Sequence, residues 1–345
     1  MISKGQGKVS CNFLYSKKYF VIHFKTPSDL LIMTTTKRYA IGVDLGGTNL
    51  RVALVSGEGE IVRKIKMPST KQVFDTILNT IAEIKREGVA GIGLGSAGII
   101  DRRHGRIFTS PNLHAIEGTD FVKEIRERFG LPVVVENDAN VAALGEKIAG
   151  AGRGFDHFVL LTLGTGIGGG IIHNGKLLNV SAEIGHMSIN ADAEKCPCGN
   201  NGCLENYASA RAMTAKAIFM LEKETESILK ECCKGSIYKI TPEDIYKAAL
   251  EGDTLAREIL RDAGRFLGVG LANIINIMSP EAIILAGGLI GAWNIYVQEA
   301  IREASRRAFR ELFEGVKIIP SSLGDDAGIV GAASLVFMET SGTQA

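Results

Sequence analysis

Short apolar runs followed by glycine or polar residues recur along the chain and predict buried strands. The first three runs lie at 39–44, 50–55 and 60–67. Gly46-Gly47 separates the first two runs, and Glu58-Gly59 turns the chain into the third. Because connections this short join neighbouring antiparallel strands, these runs predict a three-stranded meander.

Strands and helices alternate after the meander. In 70–86, for example, apolar side chains recur at helical spacing, at Val73, Ile77, Ile81 and Ile84. Further strands are predicted at 89–98, 131–135, 158–163, 171–172, 282–285 and 316–319, and helices at 70–86, 120–129, 141–149, 208–222, 225–234, 242–250, 254–277, 295–312 and 326–337. This alternation is typical of the α/β class.

The composition is that of an ordinary globular protein. At 345 residues the chain is long enough for two domains, each with its own core. Apolar residues make up 46% of the chain and charged residues 22%. The formal net charge is +1, so no nucleic-acid partner and no membrane-surface partner is indicated. No apolar run reaches the ~18 residues that a membrane span needs.

The first residues form a segment of their own. Residues 1–36 are predicted to be an N-terminal extension without an assigned role, and Met33 is the expected natural start. Charged and polar residues interrupt any apolar stretch of a signal peptide here. Elsewhere, Cys11 and the adjacent pair Cys232 and Cys233 make a poor disulfide framework, which favours a reducing cytoplasm.

Three cysteines and one histidine are concentrated in a single segment. They are His186, Cys196, Cys198 and Cys203. Three thiolates and one imidazole are a complete ligand set for a closed, tetrahedral Zn²⁺ site. Pro197, Gly199 and Gly202 are turn formers that let the sulfurs face one point. With Glu183 and Glu205 at its two ends, the segment is interpreted as the anchor of a substrate site; the alternative is a metal site remote from any chemistry.

Two glycine-threonine turns join strands rather than a strand and a helix. The first spans 44–49 and the second 164–170, so neither has the context of a dinucleotide fingerprint, and no P-loop sequence occurs. Free backbone N–H groups at Gly46-Gly47 could cradle an anion. Asp44 could hold Mg²⁺ through water. The alternative for the first turn is a plain hairpin with an incidental aspartate.

A polar segment, 136–140, follows the predicted strand 131–135 and leads directly into a helix. In open α/β sheets, ligand chemistry lies at the carboxyl ends of strands. Asp138 could be a general base at the mouth of a crevice, or only a helix N-cap. Asn112 could bind a hydroxyl or cap a turn. Gly287-Gly288 could lie against an adenine ring or allow close packing.

The order of these motifs resembles that of the actin-like sugar kinases. The spacing of Cys196-x-Cys198-Gly199-x-x-Gly202-Cys203-x-Glu205, together with Glu183-x-Gly185-His186, resembles the signature of the ROK family (repressors, open reading frames and sugar kinases). The segments 136–140 and 163–170 match as well. The resemblance extends from about Lys37 to the C-terminal helix and is closest to the bacterial glucokinase branch.

The resemblance implies an α/β fold of the two-domain, actin-like ATPase (ribonuclease H-like) type with an interdomain cleft. A small α/β domain would comprise 37–141 plus 326–345. A large α/β domain, 142–325, would carry the zinc knot.

The resemblance also implies roles for individual residues. Asp138 would be the general base that takes the proton of a sugar hydroxyl. The sugar would be bound by Gly98, Asn112, Asn137, Asp138, Glu183, His186 and Glu205. Mg²⁺-ATP would be bound by Asp44, Gly46, Gly47, Thr48, Asn49, Gly164, Thr165, Gly166, Gly287 and Gly288. A structural Zn²⁺ would be held by His186, Cys196, Cys198 and Cys203, with His186 facing the sugar through its other ring nitrogen.

The implied reaction is ATP-dependent phosphorylation of a hexose, with glucose converted to glucose 6-phosphate. Mannose, fructose, N-acetylmannosamine and N-acetylglucosamine stay open as acceptors. A homodimer or homotetramer is expected. A sugar-responsive repressor of the same family is the other alternative, although 1–32 is short and aromatic for a helix-turn-helix domain. The chain departs from the family pattern at 176–182, where relatives carry a longer loop rich in glycine and alanine.

Overall fold

Two five-stranded sheets form the framework of the protein in the computed structural model, which describes residues 38–342 apart from 48, 70–71, 103, 105, 110–120, 194 and 233–234. All of these residues except Arg38 belong to one compact unit, Tyr39–Ala345. The predicted extension, 1–36, lies outside the described residues.

Strands and helices alternate along the described ranges. The strands are β1 (Tyr39–Leu45), β2 (Asn49–Ser56), β3 (Ile61–Pro68), β4 (Val89–Ser96), β5 (Ile99–Asp101), β6 (Arg106–Thr109), β7 (Val133–Asn137), β8 (Phe158–Leu163), β9 (Ile167–His173), β10 (Lys176–Leu177), β11 (Ala282–Ala286) and β12 (Lys317–Pro320). The helices are α1 (Val73–Ile84), α2 (Phe121–Phe129), α3 (Asp138–Ala149), α4 (Glu205–Ala208), α5 (Ala210–Glu222), α6 (Leu229–Cys232), α7 (Pro242–Leu250), α8 (Thr254–Met278), α9 (Gln298–Arg307), α10 (Arg310–Gly315) and α11 (Ala327–Gly342). Within these ranges, none of the helices combines the length and the apolar character needed to cross a membrane.

The two sheets share one arrangement. The first has the order β3-β2-β1-β4-β7 and the second β10-β9-β8-β11-β12. In each sheet the first three strands are antiparallel and the last two continue in parallel from the third. The predicted meander of β1, β2 and β3 is therefore confirmed. The turn between β1 and β2 and the turn between β8 and β9 occupy equivalent places in their sheets.

The glycine run at 168–170 belongs to a strand, so the predicted strand 171–172 was too short. β9 begins at Ile167, and Gly168 and Gly170 face α3, whereas Gly169 faces Ala182 and Ile184. A Cβ at Gly170 would lie 2.6 Å from the carbonyl oxygen of Ala139, and a Cβ at Gly168 would lie 3.0 Å from the Cβ of Ala139. Because α3 approaches the strand this closely, larger side chains do not fit there. The turn itself is restricted to 164–166.

Two helix predictions were wrong in extent. The single helix predicted at 295–312 is a π-helical turn (Trp293–Val297), then α9 and α10. Ala308 has extended backbone, and the N–H of Phe309 donates to the Asn276 side chain at 2.9 Å, which supplies a partner outside the helix. In the predicted helix 225–234, only α6 is helical within the described residues.

Each sheet packs on its own apolar core. The first sheet packs on α1 and α2 through residues such as Ile77, Ile81 and Phe121. The second sheet packs on α5, α7, α8 and α9, and fully buried Tyr296 is among the largest side chains in that core. The hydroxyl of Tyr296 donates to the Ala208 carbonyl at 2.7 Å, so the buried polar atom has a partner.

Helices α3 and α11 pack against each other at backbone distance. A Cβ at Gly331 of α11 would lie 1.6 Å from the Val141 carbonyl oxygen of α3. On its other side α11 meets the first sheet, where a Cβ at Gly93 would lie 1.7 Å from the Ala332 carbonyl oxygen. Since both neighbours are backbone atoms, neither position has room for a side chain.

We expect Gly331→Ala to destabilise the protein by about 1–3 kcal/mol, because the added methyl group forces α3 and α11 apart. Thermal and urea unfolding would measure the change. The matched control is Gly154→Ala, where a Cβ would meet nothing within 4 Å. A Gly331→Ala variant as stable as this control would show that the helices can move apart freely.

Candidate active site

Asp138 is the first residue of α3, directly after β7. The N-cap of the helix is Asn137, whose side-chain oxygen accepts the N–H groups of Ala139 at 2.9 Å and Asn140 at 3.3 Å. Asp138 is therefore not the N-cap, and that alternative was wrong. Its Oδ1 accepts the N–H of Ala139 at 2.8 Å. Burial raises the pKa of Asp138, which makes its carboxylate a better proton acceptor.

Asp44 lies on β1, close enough to Asp138 for the two carboxylates to repel each other. Burial raises the pKa of Asp44 to about 6, and Asp138 and Asp325 add to the rise while Arg51 opposes it. Arg51 Nη1 is 2.9 Å from Asp44 and its Nη2 is 2.8 Å from Asp325. Arg51 thus pairs with two carboxylates, and Lys66 also pairs with Asp325 at 3.3 Å. The repulsion between Asp44 and Asp138 is what a bound cation would relieve.

The first turn, 46–48, joins β1 to β2 beside Asp44. The N–H of Gly46 donates to the Asn49 carbonyl at 3.0 Å, so the prediction of a free N–H at Gly46 was wrong, because the tight hairpin uses this donor to close itself. The hydroxyl of Ser69 donates to the Gly46 carbonyl at 2.7 Å. Gly47 is exposed and Asn49 is the first residue of β2. Thr48 lies outside the described residues.

The second turn, 164–166, joins β8 to β9. The N–H of Gly164 donates to the Gly166 carbonyl at 3.0 Å, and Thr165 is exposed at the tip. Gly287 underlies this turn: its φ is +93°, and a Cβ there would lie 2.3 Å from the Leu163 carbonyl oxygen. The close approach explains glycine at 287. Gly288 faces open space.

Glu205 connects the second turn to the cysteine segment. Its Oε2 accepts the N–H of Ile167 at 2.9 Å, directly after the turn. Its Oε1 accepts from Arg211 at 2.8 Å. The N–H of Ala210 donates to the Gly164 carbonyl at 2.9 Å from the same side. The start of α4 and α5 is therefore bonded to the turn by side chain and by backbone.

The four ligand atoms of His186, Cys196, Cys198 and Cys203 lie within 4.8 Å of one another. Cys198 Sγ is 3.6 Å from Cys203 Sγ, close to the roughly 3.7 Å expected between two sulfurs 2.3 Å from one tetrahedral Zn²⁺. Bridges between Ser188 and Cys203 and between Lys195 and Asn201 fold the segment back on itself. Burial raises the pKa of Cys203 to about 12, so three thiolates need a cation to coexist.

Glu183 lies close to the other predicted sugar ligands. Burial raises the pKa of Glu183, with further contributions from Asp138 and Glu205, while His186 lowers it. Asn137 Nδ2 donates to the Gly98 carbonyl at 3.3 Å, so these two predicted residues also meet. The structure brings this set together apart from Asn112, which lies outside the described residues.

Sequence reasoning missed three arginines, Arg51, Arg102 and Arg211, together with Glu136. Arg51 was within reach, because in a tight β1–β2 hairpin it stands directly opposite Asp44. The partners of Arg102 and Arg211 come from separate elements, so no spacing pattern indicates them.

The two sheets and their covering helices are the actin-like ATPase fold of sugar kinases. The chain belongs to the ROK family, because the sequence model of that family matches residues 40–339. It is 38% identical over 311 residues to the glucokinase of Thermotoga maritima, covering 86% of this chain and 96% of that protein. It is 33% identical over 322 residues to the xylose repressor of Bacillus subtilis, covering 89% of this chain and 79% of that protein.

A solved structure supports the same assignment. The ROK family glucokinase of Streptomyces griseus, in complex with glucose and AMPPNP, is 34% identical and superposes with a TM-score of 0.75. The match covers 87% of this chain and 99% of that protein.

We expect Asp44→Asn to be more stable than the wild type at pH 7–8, by up to about 2–3 kcal/mol. Burial raises the pKa of Asp44 from 3.8 to about 6, so between these values the folded chain binds more protons than the unfolded chain. The contribution of Asp44 to the wild-type free energy of unfolding therefore falls as pH rises through this window. Below about pH 4 the advantage of the variant should disappear.

Urea unfolding across pH 3.5–8 would measure this difference, with Asp75→Asn at an exposed position of α1 as the matched control. If Asp44→Asn is no more stable than the wild type at pH 8, then the charged form of Asp44 does not destabilise the folded protein.

Proposed function

We propose that this chain is an ATP-dependent glucokinase that transfers the terminal phosphoryl group of ATP to the 6-hydroxyl of glucose. The observation that carries the proposal is the position of Asp138, whose charge raises the pKa of both Asp44 and Glu183. A buried proton acceptor is therefore close both to the proposed cation ligand and to a proposed sugar ligand. The similarity to glucokinases, one of them bound to glucose and AMPPNP, supports glucose and ATP as the substrates.

Asp138 is the general base. Its carboxylate accepts the proton of the attacking hydroxyl, and its raised pKa strengthens it for that step. Bonding to the N–H of Ala139 fixes the carboxylate at the start of α3. Phosphoryl transfer depends mainly on positioning and charge neutralisation. A rigidly held base is therefore sufficient to activate the hydroxyl of the sugar.

The nucleotide phosphates lie between the two turns. The first turn contributes Gly46, Gly47, Thr48 and Asn49, and the second contributes Gly164, Thr165 and Gly166. Gly287 and Gly288 lie against the adenosine. Asp44 would hold Mg²⁺ through water, and the repulsion between the Asp44 and Asp138 carboxylates fits a cation at this place. When bound, Mg²⁺ neutralises charge that develops on the phosphates.

The sugar hydroxyls are bound by Gly98, Asn112, Asn137, Glu183, His186 and Glu205. The carboxylates can accept hydrogen bonds from several hydroxyls, and the imidazole can donate or accept one. Because these side chains are held in fixed positions, their arrangement selects the sugar. The proposed small domain, 37–141 plus 326–345, closes on the proposed large domain, 142–325, to exclude water as a competing acceptor.

Zn²⁺ is the metal that best fits the cysteine cluster, because three soft thiolates and one imidazole lie within 4.8 Å of one another. These four residues would hold the ion and leave it no position for a water, so its contribution would be structural. It would fix His186 and, through α4, Glu205.

The family also contains repressors, and this chain is 33% identical to one. The glucokinase of Thermotoga maritima is matched over 96% of its length and that repressor over 79%. The fuller match supports the kinase. An assay of ADP release with Mg²⁺-ATP and a panel of glucose, mannose, fructose and the two N-acetylhexosamines distinguishes the alternatives. No ADP with any sugar would overturn the proposal.

We expect Asp138→Asn to lower kcat by about 10²- to 10⁴-fold, because the amide cannot accept the hydroxyl proton. Glucose affinity, measured by calorimetry, should stay within a few-fold of the wild type. Asp75→Asn, an exposed aspartate in the first turn of α1, is the matched control and should keep full activity. Wild-type turnover in Asp138→Asn would remove Asp138 from the mechanism.

Metal analysis of the purified protein should find about one zinc ion per chain. Cys198→Ser, at an exposed ligand position, should lose the metal, lower the melting temperature and raise the glucose KM. Cys232→Ser, on α6 and not one of the four ligands, is the control. A metal-free protein with full activity would contradict a structural zinc.

A further inference from the structure

Arg102, directly after β5, contacts three groups at once. Its Nη2 donates to Glu136 Oε1 at 2.7 Å and to the carbonyl of Val180 at 2.9 Å. Its Nη1 donates to the side-chain oxygen of Asn179. Glu136 is on β7, two residues before Asp138, whereas Asn179 and Val180 belong to the short loop that departs from the family pattern. The guanidinium thus joins the strand that carries the base to this loop.

Asn140 reinforces the same connection from α3. Its Nδ2 donates to Glu136 Oε1 at 3.0 Å and to the Val180 carbonyl at 3.0 Å. Glu136 Oε1 also accepts the backbone N–H of Asn137 at 2.7 Å. Glu136 is 5% exposed, so its carboxylate depends on these donors rather than on water. The network is continuous from the residues flanking Asp138 to Val180.

At its two ends the loop is held by β9: the N–H of Leu178 donates to the Ile171 carbonyl at 2.8 Å, and the Ala182 carbonyl packs against Gly169. Asn179, Val180 and Ser181 are exposed, so apolar burial does not fix their position. Ala182 has a φ of +46°, a conformation that an alanine adopts only when its surroundings impose it. Glu183 follows immediately. Between these two ends, the polar contacts of Asn179 and Val180 hold the loop and so help to set where the backbone enters Glu183.

We propose that Arg102 is a positioning residue for the sugar site, holding the 178–182 loop, and with it Glu183, at a fixed distance from Asp138. The inference rests on the proposed kinase function and deepens it. A fork-shaped guanidinium suits this position because it reaches a carboxylate and two loop oxygens together. Hydrogen bonds through Arg102 thereby connect the short loop to β7, the strand that precedes Asp138.

Arg102→Lys tests this inference, because lysine keeps the charge beside Glu136 but a single ammonium group cannot reach all three acceptors. We expect the glucose KM to rise about tenfold, since displaced binding groups lose much of their effect, with the ATP KM within twofold of wild type. Asn179→Ala, which removes one loop acceptor only, should give a smaller rise. The double variant should resemble Arg102→Lys alone, because both changes act on one contact.

The matched control is Arg63→Lys, at an exposed arginine paired with Glu83. It should leave both KM values and the melting temperature unchanged. The double change Arg102→Met with Glu136→Gln removes both charges, so it avoids an uncompensated buried carboxylate and still breaks the loop contact. This variant should fold and show the raised glucose KM.

Two results would overturn the proposal. One is a glucose KM within twofold of wild type in both Arg102→Lys and Asn179→Ala. The other is a common fall in melting temperature, kcat and affinity for both substrates, which indicates a purely structural role. If the wild type binds glucose but does not phosphorylate it, only the kinase function is refuted. The role of Arg102 is then tested by comparing the glucose Kd of the variants instead of the KM. A wild type that neither binds nor phosphorylates any sugar refutes both.

Discussion

The position of α3 is the constraint on which the rest of the site depends. The helix meets Gly170 of β9 on one side and Gly331 of α11 on the other, in both cases at backbone distance. Contacts between backbone atoms leave no flexible side chain to absorb a displacement. Asp138, at the first position of this helix, therefore has its place fixed relative to both sheets.

The equivalent places of the two turns follow from the shared order of the sheets. Each turn closes a hairpin that contains β1 in one sheet and β8 in the other, the strands from which the parallel part of each sheet begins. Each is also bonded to a neighbouring element, the first through Ser69 and the second through Glu205 and Ala210. A phosphate chain between them would meet two turns whose backbone conformation is already set.

Much of this fold could be predicted from local patterns, because the meander, the alternating elements and the cysteine cluster each depend on residues close in sequence. The break between α9 and α10 could not, since it depends on Asn276 from a distant helix. The strand character of 168–170 was hidden because glycine is a poor indicator of a strand, and the close approach of α3 explains it. In the site, the motif residues could be found, whereas the network of Arg102, Glu136 and Val180 joins three separate elements.

The π-helical turn that follows Gly288 begins with Trp293, the single tryptophan of the chain. Its indole is half-buried, five residues after the glycine proposed to lie against the adenosine. Fluorescence excited at the indole band therefore arises from one place in the molecule. The protein carries an intrinsic optical reporter beside its proposed nucleotide site, readable without any label.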